Sequence, residues 1–201
     1  MTTLSIQRSI REVGLAIRRP EKLACRWRDR FRDGTDAPPA AVFAILLLNA
    51  VLGTAAYGMV MHMHRGAAGM GEGALMLPLA AGIAWALAFP ALYILNSLFG
   101  SRLDFTTTTL AAAVTVSFGA AAMLASVPIT WFFSLALPYL PIHWLINLVV
   151  FAGVSFWMCD VFLRVMKALE PTRSRAYPLL WLVLLTALGG QLFWLFGLFQ
   201  F

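Results

Sequence analysis

Five stretches of this chain are too long and too apolar to be ordinary core elements of a small soluble domain. They cover residues 40–61, 74–98, 109–133, 142–165 and 177–198. A helix needs roughly 20 apolar residues to cross the hydrocarbon core of a bilayer. The expected fold class is therefore all-α: a polytopic membrane protein with five transmembrane helices. The whole chain is 61% hydrophobic and 12% charged, whereas soluble domains are about 45–50% apolar and about 25% charged. Its 201 residues suit one bundle. Residues 1–36 read as a cytoplasmic basic amphipathic region, and residues 37–201 as the five-span bundle. Pro78 and Pro90 interrupt the second span, and Pro128 lies near the end of the third. Pro90 is expected to kink its helix, and the backbone groups the prolines free must find partners inside the bundle.

The charges are one-sided. Residues 1–36 hold nine of the fifteen Lys and Arg: Arg8, Arg11, Arg18, Arg19, Lys22, Arg26, Arg28, Arg30 and Arg32. With this region placed in the cytoplasm, five spans also put Arg102, Arg164, Lys167, Arg173 and Arg175 on that side. Arg65 is then the one cation on the other. Such a bias predicts a cytoplasmic N-terminus and an outward C-terminus. No base-stacking module or zinc-finger spacing accompanies the basic block, so a nucleic-acid partner is not expected. Cys25 and Cys159 form no CxxC pair and imply no disulfide framework.

Within the basic region, Ile6, Ile10, Val13 and Ile17 recur at helical spacing. Pro20 opens a second helical segment. There Leu23, Trp27 and Phe31 form a stripe opposite Arg26, Arg28, Arg30 and Arg32. Leu23, Trp27, Phe31, Arg26 and Arg30 are the candidate membrane-surface residues, with anionic headgroups as their partner. The same pattern also suits a solvated cytoplasmic helix packed on the bundle. The stretch "DGTDAPPA" (33–40) reads as a turn and linker.

Small residues mark where spans can approach. Ala50, Thr54 and Gly58 repeat every four residues on the first span, and Thr115, Gly119, Ala122 and Ser126 make a stripe on the third.

Asp160 and Arg164 sit one turn apart near the inner end of span four and form the candidate charge pair, either structural or concerned with gating or partner binding. Asn49, Asn96, Asn147 and Gln191 are uncharged polar residues inside spans, read as bridges between helices, with lining of a transport path by Asn96, Asn147, Gln191 and Asp160 as the alternative. The segment "GMVMHMHRGAAGM" (58–70) concentrates thioether and imidazole groups at the outer end of span one. Met59, His62, Met63 and His64 are the candidate metal ligands, of the kind copper(I) favours. Set against them, no Cys or carboxylate completes a shell, and His62 and His64 diverge on a helix. The expectation is no bound metal and no cofactor. The sequence has no Ser–His–Asp set, HExxH, GxSxG or Walker A motif, so an enzyme is not expected.

Several segments carry a resemblance. "IRRPEKL" precedes the first span, "FPALYILNSLFG" ends the second, "LASVPITWFF" ends the third, and "GGQLFW" lies in the fifth. Over residues 15–199 the layout resembles the Yip family of small five-span membrane proteins, in particular its uncharacterised bacterial branch. The acidic and Gly-Pro cytoplasmic motif of the eukaryotic members is missing, so their link to small GTPases does not transfer. The resemblance implies an integral membrane protein that works through partners.

Together these readings lead to one expectation: a non-enzymatic protein of a bacterial inner membrane that serves as scaffold, assembly or accessory factor of a membrane complex. Its partner would be another membrane protein, with homo-oligomers among the assemblies allowed. The alternatives are a small transporter or channel, or copper handling on the periplasmic side.

Overall fold

A computed structural model of the protein describes residues 14–15, 18–32, 40–101, 103–137, 139–172 and 176–198. Among the described residues, six helices follow one another: α1 (Pro20–Arg32), α2 (Ala40–Met61), α3 (Gly66–Leu98), α4 (Phe105–Ala136), α5 (Leu140–Leu169) and α6 (Ala176–Leu195). A 3-10 turn at Met63–Arg65 links α2 to α3. There is no strand among the described residues. Helices α2 to α6 are each long and apolar enough to cross a membrane, and the chain has the architecture of a multi-pass membrane protein. The N-terminal residues Arg8 and Arg11, with Arg102, Arg173 and Arg175, lie outside the described residues.

The helices alternate in direction. One end of the bundle carries α1 (the α1 end). The opposite end carries the α2–α3 turn and the α4–α5 connection (the far end). Helix α2 packs against both α3 and α4. Helix α5 packs on α4, α6 packs on α3, and α3 and α4 barely touch. Outward-facing side chains are as apolar as the interior: Leu48 and Leu52 on α2, Phe156 and Trp157 on α5, and Val183 and Leu195 on α6 are all exposed. A helix apolar all round belongs in lipid, where outward leucines cost nothing.

Close approach is bought with missing side chains. A Cβ on Gly58 of α2 would collide with the Gly73 carbonyl of α3, and one on Gly73 would collide with the Gly58 carbonyl. Similarly, a Cβ on Gly53 would strike the Ala120 backbone of α4. Of the expected small-residue stripes, Gly58 of α2 meets α3 and Gly119 of α4 meets Met158 of α5, whereas the α2–α4 contact at Gly53 and Ala120 lies outside both stripes.

Helix α2 matches the expected span of 40–61 at both ends. Helix α3 differs, because it starts at Gly66 and not at residue 74. The segment "GAAGMGEG" reads as a loop by propensity, since each Gly costs about 1 kcal/mol in a helix. It is helical here because Gly69 and Gly73 are buried against α2 and its turn. Pro78 and Pro90 both lie inside one continuous α3.

Three apolar clusters fill the bundle. At the α1 end, Leu23 and Trp27 of α1 pack with Val42 and Leu46 of α2 and with Leu110 and Val114 of α4. Beside it, Phe162, Val165 and Met166 of α5 meet Trp181 of α6, Leu92 of α3 and Ala24 of α1. Toward the far end, Tyr57, Met61, Leu77, Phe151 and Val154 form the third. The Trp181 indole also donates to the Ala88 carbonyl at 2.7 Å, fastening α6 to α3.

Candidate functional site

At the α1 end, amphipathic helix α1 caps the exit of α5. The last carbonyls of any helix lack intrahelical donors. Here Arg28 Nη1 donates to the Leu169 carbonyl at 3.0 Å, and Cys25 Sγ lies 3.6 Å from the Ala168 carbonyl. Arg164 Nε meets Asp160 Oδ2 at 2.8 Å and reaches Glu21 of α1 at 4.0 Å. The expected pair therefore exists and also leans toward α1. Its two side chains are 48% and 43% exposed near the α1 end of the span, a depth from which Arg164 can reach the headgroup region. Ser101 Oγ donates to Glu170 at 2.9 Å, tying the α3–α4 connection to the same corner. Asp104 accepts from the Thr107 amide at 3.4 Å and serves as the N-cap of α4.

Of the candidate membrane-surface residues, Leu23 and Trp27 are fully buried inside the bundle. That corrects their expected placement. Their stripe meets α2 and α4, which offer a larger apolar surface than headgroups can. Arg26 is exposed on the opposite face. Arg30 and Phe31 continue the helix, and their side chains lie outside the described residues.

The far end brings together residues distant in sequence. His62 follows α2, and its Nδ1 lies 3.3 Å from the Gly58 carbonyl. His143 stands in the first turn of α5, with Nδ1 3.3 Å from Ser134 Oγ at the end of α4. Between them the exposed His64 ring sits 6.5 Å from His62 and 5.6 Å from His143, centroid to centroid. His62 and His143 are buried. Burial pushes the His62 imidazole below its usual pKa, and Arg65 adds to this, while the Gly58 carbonyl and Glu72 oppose it. Arg65 pairs with Glu72 at 3.4 Å.

A polar chain descends from this cluster. Asn147, one turn below His143, donates to the His143 carbonyl at 2.8 Å. Its Oδ1 accepts from the Tyr57 hydroxyl at 2.7 Å. Thr130 Oγ1 donates to the Tyr57 oxygen at 3.4 Å. Tyr57, Thr130 and Asn147 are all buried, so hydrogen bonds pin α2, α4 and α5 together beside the apolar cluster at this end. On the α2–α4 contact, Asn49 donates to Ser117 Oγ at 2.8 Å.

The four soft-ligand candidates differ in burial. Met59 is exposed, Met63 half-buried, His62 buried and His64 exposed. What joins His64 is His143, from a segment the sequence ties to it only by lying on the same side of the membrane. Among the described residues, no group of three or more His, Cys, Asp or Glu side chains is placed to hold a metal ion.

The remaining feature is a groove of about 380 Å³ between α2 and α3, floored by α4. Ala112 and Ala113 of α4 form its floor, and Leu47, Val51, Trp85 and Phe89 its walls. The hydroxyls of Thr54 and Thr109, which also line it, are turned back to the Ala50 and Phe105 carbonyls at 2.7 Å each. Pro90 lies on the groove and has no N–H to give the Ala86 carbonyl. Gly82 borders the groove with open space where its side chain would stand.

Comparison with known protein families, with curated proteins and with solved structures finds no match to this chain.

Proposed function

We propose that this chain is a non-enzymatic integral protein of a bacterial inner membrane, acting as scaffold, assembly or accessory factor of a membrane complex. The groove between α2 and α3 carries this reading. It lies among spanning helices, its lining is apolar, and its floor is built of alanines. Small residues let a second helix come close, which is what drives helix association in lipid. A helix from a partner membrane protein suits that surface. Four polar residues inside the spans favour the same reading over conduction, because Asn49, Tyr57, Thr130 and Asn147 are engaged in bonds between helices.

In this proposal the N-terminus and α1 are cytoplasmic and the C-terminus is periplasmic, as the one-sided cations indicate. The resemblance to the bacterial branch of the Yip family belongs to the same proposal. Anionic headgroups would then meet the exposed cations of α1, not its buried stripe.

The test is purification in mild detergent with quantification of co-purifying membrane proteins, for the native chain and for Gly82→Leu. The substitution points a side chain into open space beside the groove. A partner retained by the native protein and depleted from a stable Gly82→Leu variant is the expected result. Identical partner profiles for the two proteins overturn the reading.

A further inference from the structure

We propose that His62, His64 and His143 form a proton-operated latch between the α2–α3 turn and the head of α5. The three are all the histidines of the chain, and they come from segments about eighty residues apart. Uncharged imidazoles stack and tilt against one another as flat, weakly polar rings. His64 does this on both sides, at 6.5 Å from His62 and 5.6 Å from His143. Two imidazolium ions at such separations repel. Histidine is the side chain whose ordinary pKa puts that change near neutral pH.

Of the remaining ionisable groups at this end, Arg65 opposes a charge on His62 and Glu72 favours it. Arg65 is already cationic, and Glu72, the one acid here among the described residues, is paired with it at 3.4 Å. Tyr57 lies below the cluster with its hydroxyl committed to Asn147. Tyr139, the N-cap residue of α5, is exposed. Burial, which holds the His62 imidazole below its usual range, keeps the latch closed at neutral pH.

The geometry also says which parts move. Helix α3 is locked to α2 by the mutual contact of Gly58 and Gly73. The segment between them is a single 3-10 turn ending at Gly66, whose φ of 74° a residue with a side chain rarely adopts. His64 rides on that turn. On the other side, His143 rides on the first turn of α5, close to the end of α4. Acidification therefore separates the turn from the head of α5 while the helices below stay joined through Tyr57 and Asn147. The latch would let an acidic outer compartment loosen this end of the protein. It stands on different residues from the groove and does not depend on the scaffold reading.

The experiment measures distance directly. Spin labels are placed on cysteines at the exposed positions Ala67 and Leu140, in a Cys25→Ser, Cys159→Ser background, in full-length protein reconstituted in nanodiscs. At about pH 7.5 a single short distance is expected. Below about pH 6 a second, longer population should grow and disappear again on neutralisation. In His64→Gln, an exposed substitution that spares the core, the short distance should persist at both pH values. Glu72→Gln should keep the native response. An unchanged distance distribution in the native background overturns the latch. So does a response that survives His64→Gln, or one that is lost with Glu72→Gln.

Discussion

Arg28 of α1 donates to the Leu169 carbonyl, the last residue of α5, at 3.0 Å. A helix that reads from its sequence as a membrane-surface element is thereby tied to the end of a span. Arg28 also pairs with its neighbour Asp29 at 2.9 Å, so the guanidinium is held in place to cap. Arg28→Ala should lower stability by about 1 kcal/mol, the usual range for a part-exposed bond of this type. The more specific consequence is faster proteolysis around residues 33–39 in detergent. Unaltered proteolysis would show that α1 docks without the cap.

Trp27→Ala tests the apolar side of the same docking. The ring is fully buried with Leu23 between α2 and α4. Its removal should cost about 3–5 kcal/mol, as for other buried aromatic truncations. Lys22→Ala, at an exposed position of the same helix, should stay within about 0.5 kcal/mol of the native protein. Thermal unfolding in detergent compares the three. Equal and small effects would place α1 off the bundle.

These residues also show how far the sequence could be read. The spans were legible because length and apolarity suffice to define them, and 40–61 coincides with α2. The start of α3 was not, because glycine propensity argues for a loop and it is the tertiary contacts of Gly69 and Gly73 with α2 and its turn that make residues 66–73 a helix. The direction of the Leu23–Trp27 stripe was not legible either, since an amphipathic pattern is the same whether it faces headgroups or a neighbouring helix. Asp160 and Arg164 could be paired from spacing alone. The approach of His143 to His64 is purely tertiary, and no local pattern announces it.

The Asp160–Arg164 contact at 2.8 Å is half-exposed at both ends. A double-mutant cycle with Asp160→Ala and Arg164→Ala should give a coupling of about 0.3–0.5 kcal/mol. Glu21 lies 4.0 Å from the same guanidinium, so Arg164→Ala should cost slightly more than Asp160→Ala. Zero coupling, with both variants equally abundant but defective in retaining a partner, would assign the pair to recognition instead of folding.

Stability should fall with acid at the far end. Burial keeps His62 neutral in the folded protein, below its usual pKa. In the unfolded chain it titrates near about 6.5. Above that value both states carry the neutral ring and His62 contributes no pH dependence. As pH drops through about 6.5 the unfolded chain takes up the proton first, and stability is lost progressively until the folded-state pKa is passed. Chemical unfolding in detergent at about pH 7.5 and about pH 5 reads this. His62→Gln should reduce the difference, and an equal slope in that variant would assign it to other groups.

The last prediction concerns the bond between Tyr57 and Asn147. Tyr57→Phe keeps the ring, its edge contact with Phe151 at 5.6 Å and its packing. It removes the donor that Asn147 Oδ1 accepts at 2.7 Å, in a buried site, and the oxygen to which Thr130 Oγ1 donates at 3.4 Å. A buried acceptor left without its donor costs about 1–3 kcal/mol. Asn147→Leu strands the tyrosine hydroxyl, although Thr130 Oγ1 stays within 3.4 Å of it. It also removes the donor to the His143 carbonyl, so it should be at least as damaging. The double variant Tyr57→Phe, Asn147→Leu leaves neither of the two side chains stranded and should be more stable than the sum of the single losses allows. Thermal unfolding of the four proteins decides the matter. Strict additivity would mean that the hydroxyl and the amide do not depend on one another, and that the alignment of α2 with α5 rests on apolar packing around Phe151 alone.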